Sequence, residues 1–358
     1  MSRVADWIRP EILAAKPYQV ADARGLIKLD AMEAPSGPPA DVQADWQTWL
    51  GGVDWHRYPD GTGQGVKQAL RAHFEIGPEL GILLGNGSDE IIQMLTLALA
   101  RPRASLLTPA PGFAIYGVAA RTAGMAIHYL ALDETDFSLD PDAAIAAIER
   151  HQPALVFIAN PNNPTGNFFP RETLHRLAEA TPGLLVVDEA YFPHSRAHCL
   201  DMAGRPDNLA VMRTLSKAGM AGLRLGWLVA DPAWIDALER IRMPYNINAF
   251  TQAAAEFALK QPQWWQALAA ELRERRDRLV ERLGQDDRVQ VWPSEANFVL
   301  LRVPDAVAVF EGMKAEGVLV KCLHGQHPAL QHCLRLTVGS ETENEHMLAA
   351  LDVGLRAC

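Results

Sequence analysis

The sequence predicts an α/β protein: a large domain on a mostly parallel seven-stranded sheet flanked by helices, plus a smaller α+β domain. Three observations predict it. Seven short apolar runs recur between residues 81 and 230, several of them apolar on both faces, as a buried parallel sheet requires. Helical patterns fill the intervals between them. After Asp231 the alternation gives way to a long helical stretch and a few strand-like runs. A chain of 358 residues is long enough for two cores.

Taken in order, residues 31–62 are rich in Pro, Gly and Trp and read as irregular. Strands are expected over Gly81–Leu84, Ser105–Thr108, Ala126–Ala131, Ala154–Ala159, Leu184–Asp188, Ala210–Leu215 and Gly226–Ala230. Helices are expected over Ser88–Ala100, Pro141–Arg150 and Pro170–Ala180, with Ser88 and Pro141 as start residues. One long helix is expected from Ala249 to Leu283. A strand over Ala296–Val303, a helix over Ala306–Glu316, a strand over Cys333–Val338 and a terminal helix from Glu341 follow. The expected organisation is an N-terminal arm over 1–30 that belongs with the small domain, the large domain over 31–248, and the linking helix with the small domain over 249–358.

Hydrophobic residues make up 49% and charged residues 21%, as in soluble globular chains. The net charge of −10 argues against a nucleic-acid surface. No apolar run is long enough to span a bilayer, and Met1–Asp6 lack a signal-peptide core. Cys199, Cys322, Cys333 and Cys358 show no paired spacing and read as reduced thiols of a cytoplasmic protein.

The chemistry gathers at the ends of the expected strands, where open α/β sheets collect ligands. Thr214-Leu215-Ser216-Lys217 is followed seven residues later by Arg224. A lysine amine condenses with an aldehyde if it sheds its proton, and hydroxyls with an arginine hold a phosphate. An aldehyde and a phosphate on one small molecule point to pyridoxal phosphate. Asp188 ends an apolar run and suits a protonated pyridine nitrogen; Tyr191, three residues on, suits the ring oxygen. A helix-capping Asp with a packing Tyr is an equal reading of that segment alone. Asn163 lies in a loop stiffened by Pro161, Pro164 and Gly166, and its amide can donate to the ring oxygen. Gly87-Ser88-Asp89 opens a helix whose free amides suit an anion, although in isolation an ordinary Ser/Asp N-cap explains the segment better. Phe113 offers a ring to stack on the pyridine, or simply packs under its loop.

Other chemistries fall away. Gly61-Thr62-Gly63-Gln64-Gly65 lacks both the spacing and the preceding strand of a dinucleotide site. His194 and His198 are four apart but lack the intervening Glu and a third ligand for zinc. No G-x-S-x-G nucleophile elbow occurs.

Asn163, Asp188, Tyr191, Ser216-Lys217 and Arg224 stand in the order and rough spacing of the fold-type I aminotransferases that use pyridoxal phosphate, and from Leu29 onward the chain resembles that family. Within it the chain is most similar to the histidinol-phosphate aminotransferases. The residues behind this are Pro17-Tyr18-Gln19, Lys28–Pro35, Arg57-Tyr58-Pro59-Asp60, Gly85–Glu90 and Cys333–Gly339. The resemblance implies that Lys217 bonds the cofactor aldehyde and then shuttles the substrate proton. It implies Asp188 at the pyridine nitrogen, Asn163 and Tyr191 at the ring oxygen, and Phe113 stacked. Ser88, Asp89, Thr214, Ser216 and Arg224 would surround the phosphate. Tyr58 would reach the cofactor phosphate of the neighbouring subunit in a homodimer with shared sites. Tyr18, Lys321 and Arg335 would bind substrate. Lys321 stands where many members carry arginine; lysine keeps the charge and loses the planar fork. Ala34 replaces the asparagine of the motif it lies in, and the Lys217-to-Arg224 gap is one residue shorter than in much of the superfamily. The implied reaction belongs to histidine biosynthesis: histidinol phosphate and 2-oxoglutarate interconvert with imidazole-acetol phosphate and glutamate. An aromatic or other amino-acid aminotransferase and a phospho-amino-acid decarboxylase share the fold. A non-catalytic binding or regulatory protein would not need the intact Lys217 set.

Overall fold

The computed structural model describes residues 3–15, 17 and 20–358. A short strand β1 (Ile27–Lys28) lies apart from the main sheet. That sheet holds β2 (Gly81–Asn86), β3 (Ser105–Ala110), β4 (Ala126–Ala131), β5 (Leu155–Ala159), β6 (Leu184–Asp188), β7 (Leu209–Thr214) and β8 (Leu225–Ala230). Across the sheet the order is β2–β8–β7–β6–β5–β3–β4. Only β8 runs against its neighbours; the other pairings are parallel. Seven strands, mostly parallel, match the expectation.

The doubly apolar strands are explained by two cores, one on each face. Leu83, Leu106, Leu155, Phe157, Leu184 and Val186 pack on one side. Their chain neighbours Leu84, Leu107, Val156, Ile158, Leu185 and Val187 pack on the other, as the period-two alternation of a strand dictates. A second sheet holds β9 (Gln290–Val291), β10 (Phe298–Arg302), β12 (Lys321–Cys322) and β13 (Cys333–Thr337), in the order β12–β13–β10–β9. β1 pairs in parallel with β11 (Val318–Leu319), which draws residues 27–28 onto this smaller layer. Its core includes Leu29, Val299, Leu301, Leu334, Leu336 and Met347.

Two expectations need correction. Residues 31–62 contain a helix, Ala40–Gly51. Pro35, Pro38 and Pro39 sit just before it, with Pro39 at the N-cap, where a missing N–H costs nothing, and Pro59 lies beyond its end. Trp46 stacks on Phe257 and Trp49 Nε1 donates to the Ala253 carbonyl, so tertiary contacts hold this helix. The single helix expected from Ala249 to Leu283 is two, Ala249–Lys260 and Gln263–Leu283. They part at Pro262, which cannot donate to the preceding turn. The second helix serves both cores: Trp264 and Trp265 pack under the main sheet, Leu272, Leu279 and Leu283 under the small one. Among the described residues no helix is long and apolar enough to cross a membrane.

Candidate active site

The strands place the chemistry at one edge. β2, β3, β5, β6 and β7 all run toward it, and their ends carry Ser88, Phe113, Asn163, Asp188 and Thr214. β8 runs the other way, so its beginning lies there, immediately after Arg224. The resulting cavity, about 460 Å³, is lined by Ser88, Asp89, Phe113, Asn163, Asp188, Tyr191, Thr214, Ser216, Lys217 and Arg224 from the large layer and by Lys321 and Arg335 from the small one. Tyr58 is elsewhere: it is 81% exposed and stacks on Tyr245 at 4.6 Å. Tyr18 lies outside the described residues.

Lys217 Nζ donates to the Ala31 carbonyl at 3.0 Å. Burial lowers its pKa to about 8, and the charge of Arg335, then more weakly Arg224, adds to the effect. The larger cation is therefore Arg335, which the sequence placed only in substrate binding. Asp188 is buried at the end of β6. Its Oδ1 accepts from the Ala190 amide at 3.0 Å and its Oδ2 from Tyr116 Oη at 2.7 Å. Burial pushes its pKa up to about 6 against these two hydrogen bonds.

Asn163 Nδ2 donates to Tyr191 Oη at 2.9 Å. Arg335 Nη1 donates to Asn163 Oδ1 at 2.6 Å and its Nη2 to the Asp30 carbonyl at 2.8 Å. Arg335, Asn163 and Tyr191 thus form one chain that crosses from the small layer to the large.

The anion end is built from backbone as much as side chains. Gly87, with φ of +76°, is the N-cap of helix Ser88–Leu99, so Ser88 is inside the helix and its hydroxyl is not spent as a cap. Thr214 and Ser216 hydroxyls share a hydrogen bond of 2.9 Å, and the Ser216 amide donates to Thr214 Oγ1 at 3.2 Å. Arg224 Nη2 pairs with Asp89 Oδ2 at 3.0 Å, so Asp89 offers an incoming anion its amide while its carboxylate holds the arginine. A Cβ on Gly226 would lie 2.5 Å from the Ser88 nitrogen, and one on Gly87 2.6 Å from Arg224 Nη2. Two glycines therefore allow three segments to converge.

These residues fit pyridoxal phosphate on structural grounds. Among the described residues the buried carboxylate is held by an amide and a phenol and meets no cation that would return its pKa to the ordinary range. A pyridinium would supply that cation. A lysine with a lowered pKa and a helix start beside an arginine share its cavity.

The sequence reading missed Tyr116. The spacing Phe113-x-x-Tyr116 at a helix start was visible, but nothing in it shows that the second ring turns under the sheet toward Asp188. It also missed the Ala31 and Asp30 carbonyls, because a backbone acceptor carries no residue signature.

The sequence profile of the family described as aminotransferase class I and II matches residues 25–351. The chain is 50% identical over 348 residues to a histidinol-phosphate aminotransferase of Chromobacterium violaceum, covering 97% of this chain and 98% of that one. It is 47% identical over 354 residues to histidinol-phosphate aminotransferase 2 of Nitrosococcus oceani, 98% of each. Among solved structures, the histidinol-phosphate aminotransferase of Sinorhizobium meliloti in complex with pyridoxal-5'-phosphate superposes with a TM-score of 0.85 at 24% identity, covering 98% of each chain. That likeness concerns the fold.

Proposed function

The chain belongs to the class I and II aminotransferases and, within them, to the histidinol-phosphate aminotransferase family, and we propose that Lys217 is the residue on which its transamination turns. The reaction moves the amino group of histidinol phosphate to 2-oxoglutarate, giving imidazole-acetol phosphate and glutamate. Pyridoxal phosphate, when bound, supplies an aldehyde that condenses with amines and a ring that accepts the electron pair left at the substrate carbon.

The chain's residues do the rest. Lys217 Nζ, with its pKa near 8, reaches the free-amine form at a lower pH than an ordinary lysine. Lys217 would hold the aldehyde of the cofactor, and its Nζ, freed by the substrate amine, would carry the proton between the amine-bearing carbon and the cofactor side. Asp188 would keep the ring nitrogen protonated, because a buried carboxylate and a cation stabilise each other's charge. Asn163 and Tyr191 would serve the ring oxygen, and Phe113 would offer its ring to the pyridine. The Ser88 and Asp89 amides, Thr214, Ser216 and Arg224 would hold the phosphate. Arg335 and Lys321 receive the anionic groups of the two substrates in turn.

We infer a homodimer in which Tyr58 contributes to the partner's site. Tyr58 is 81% exposed and stacks on the exposed Tyr245, and Trp55 and Met243, close to them in the chain, are exposed as well; aromatic surface of this kind suits a partner subunit. The observation that carries the functional reading is the meeting of Lys217, Asp188, Asn163 and Arg224 in one cavity. Borohydride reduction and peptide mapping test it. A reduced adduct on Lys217 is expected; an adduct on another lysine overturns the assignment.

A further inference from the structure

His194 and His198 stand out in the sequence as a pair, but the fold gives His194 another partner. The residue is 1% exposed, and its Nε2 lies 2.8 Å from the carbonyl oxygen of Lys217. A carbonyl only accepts, so Nε2 carries the proton and donates. Resting on the reading of Lys217 as the cofactor lysine, we propose that His194 is a positioning residue for it: the imidazole pins the lysine backbone and ties it to the helix that joins the two cores.

Both ends of this tie are visible. The His194 amide donates to the Tyr191 carbonyl at 2.9 Å, so one residue fixes the main chain at both Tyr191 and Lys217. The His194 carbonyl accepts from Arg276 Nη1 at 3.0 Å, and the same nitrogen donates to the Ala296 carbonyl at 3.1 Å. Arg273 Nη1 donates to the Pro193 carbonyl at 2.6 Å. Both arginines belong to Gln263–Leu283, whose apolar residues divide between the large and the small core. Arg276 is completely buried. A movement of this helix therefore pulls on residues 193–194 and, through the imidazole, on Lys217.

The ring is suited to a fixed donor role. Its Nδ1 is buried with no partner among the described residues, so a second proton would leave a buried N–H unmet. Burial and the charges of Arg276, Arg273 and Lys217 around it push its pKa down to about 4. At neutral pH it is an uncharged Nε2–H donor. Side-chain packing alone would be served equally by a phenylalanine.

The test uses the holoprotein with His194→Gln, whose amide N–H has the same reach, and His194→Phe, which keeps a ring and loses the donor. The pH midpoint of the lysine–cofactor visible band is read together with kcat and KM. With His194→Phe the midpoint should move up by about one unit, as the loosened imine nitrogen gains hydration and holds its proton to higher pH. The kcat for histidinol phosphate should fall about tenfold, the weight of one buried hydrogen bond, with KM within about twofold. His194→Gln should restore both. A His194→Phe protein that titrates and turns over as the parent, or a His194→Gln protein equally impaired, overturns the proposal. If His194→Phe does not fold, Arg273→Met carries the test: it should shift the midpoint in the same direction, and an unshifted midpoint refutes the link to the helix. Borohydride mapping on the parent protein separates the two levels. An adduct on another lysine removes the reading of Lys217, whereas an adduct on Lys217 with unshifted variants removes only the role of His194.

Discussion

Replacing Asp188 with asparagine separates what this carboxylate costs the fold from what it does for the cofactor. Burial raises its pKa from 3.8 to about 6. Two units at about 1.4 kcal/mol each amount to about 3 kcal/mol of destabilisation in the empty protein. The sign follows from proton binding: between pH 3.8 and about 6 the native state holds the proton more tightly than the unfolded chain. Stability therefore falls as pH rises through that window, and the cost is complete above it and absent below it. Asparagine removes the charge, can still accept from Ala190, and can donate to the Tyr116 oxygen once that hydroxyl turns. With about 2.1 cal/mol/K of unfolding entropy per residue, relief of about 3 kcal/mol raises the Tm of the empty protein by roughly 4 °C at pH 8. The gain should fade toward zero as the pH approaches 4. With pyridoxal phosphate added the order reverses, because the parent carboxylate gains its pyridinium and the variant does not. Thermal melts from pH 4 to 8, with and without cofactor, measure both. An empty Asp188→Asn protein less stable than the parent at pH 8, or a gain that ignores pH, refutes the argument.

Tyr116→Phe removes the hydrogen bond that opposes the rise in the Asp188 pKa, so cofactor retention should fail at a higher pH limit than in the parent during acid titration. Gly226→Ala drives a methyl against the Ser88 nitrogen at 2.5 Å. It should cost about 1–3 kcal/mol of stability, read by thermal melts, and weaken cofactor affinity, read by equilibrium dialysis. Arg335→Lys loses the fork that holds Asn163 and the Asp30 carbonyl together. The KM for histidinol phosphate and for glutamate should both rise by about tenfold or more in steady-state assays, a loss of about 1.4 kcal/mol or more.

The main sheet was legible because several of its strands are apolar on both faces, a pattern that a strand covered on both sides requires, while the edge strand β4, largely exposed, is not. β3 through β8 lie within two residues of their expected bounds. The helix at Ala40–Gly51 was not legible, since its stability comes from Trp46 and Trp49 against Phe257 and the Ala253 carbonyl, more than 200 residues away. The break at Pro262 was available in the sequence, but helical periodicity on either side concealed it. In the site, side chains at strand ends announced themselves through residue type and spacing. What escaped were partners recruited by tertiary folding: Tyr116 beneath Asp188, the Ala31 carbonyl on Lys217, and the imidazole of His194 on the lysine backbone. The histidine was weighed as a metal ligand because sequence shows spacing along the chain and not which group a ring meets across it.

The most direct test of the account is an amino-transfer assay with the purified protein, its cofactor, histidinol phosphate and 2-oxoglutarate, followed by glutamate release. Stoichiometric glutamate and imidazole-acetol phosphate, abolished by Lys217→Ala, are the predicted result. Absence of glutamate from an otherwise folded, cofactor-loaded protein, or turnover that survives Lys217→Ala, would contradict it.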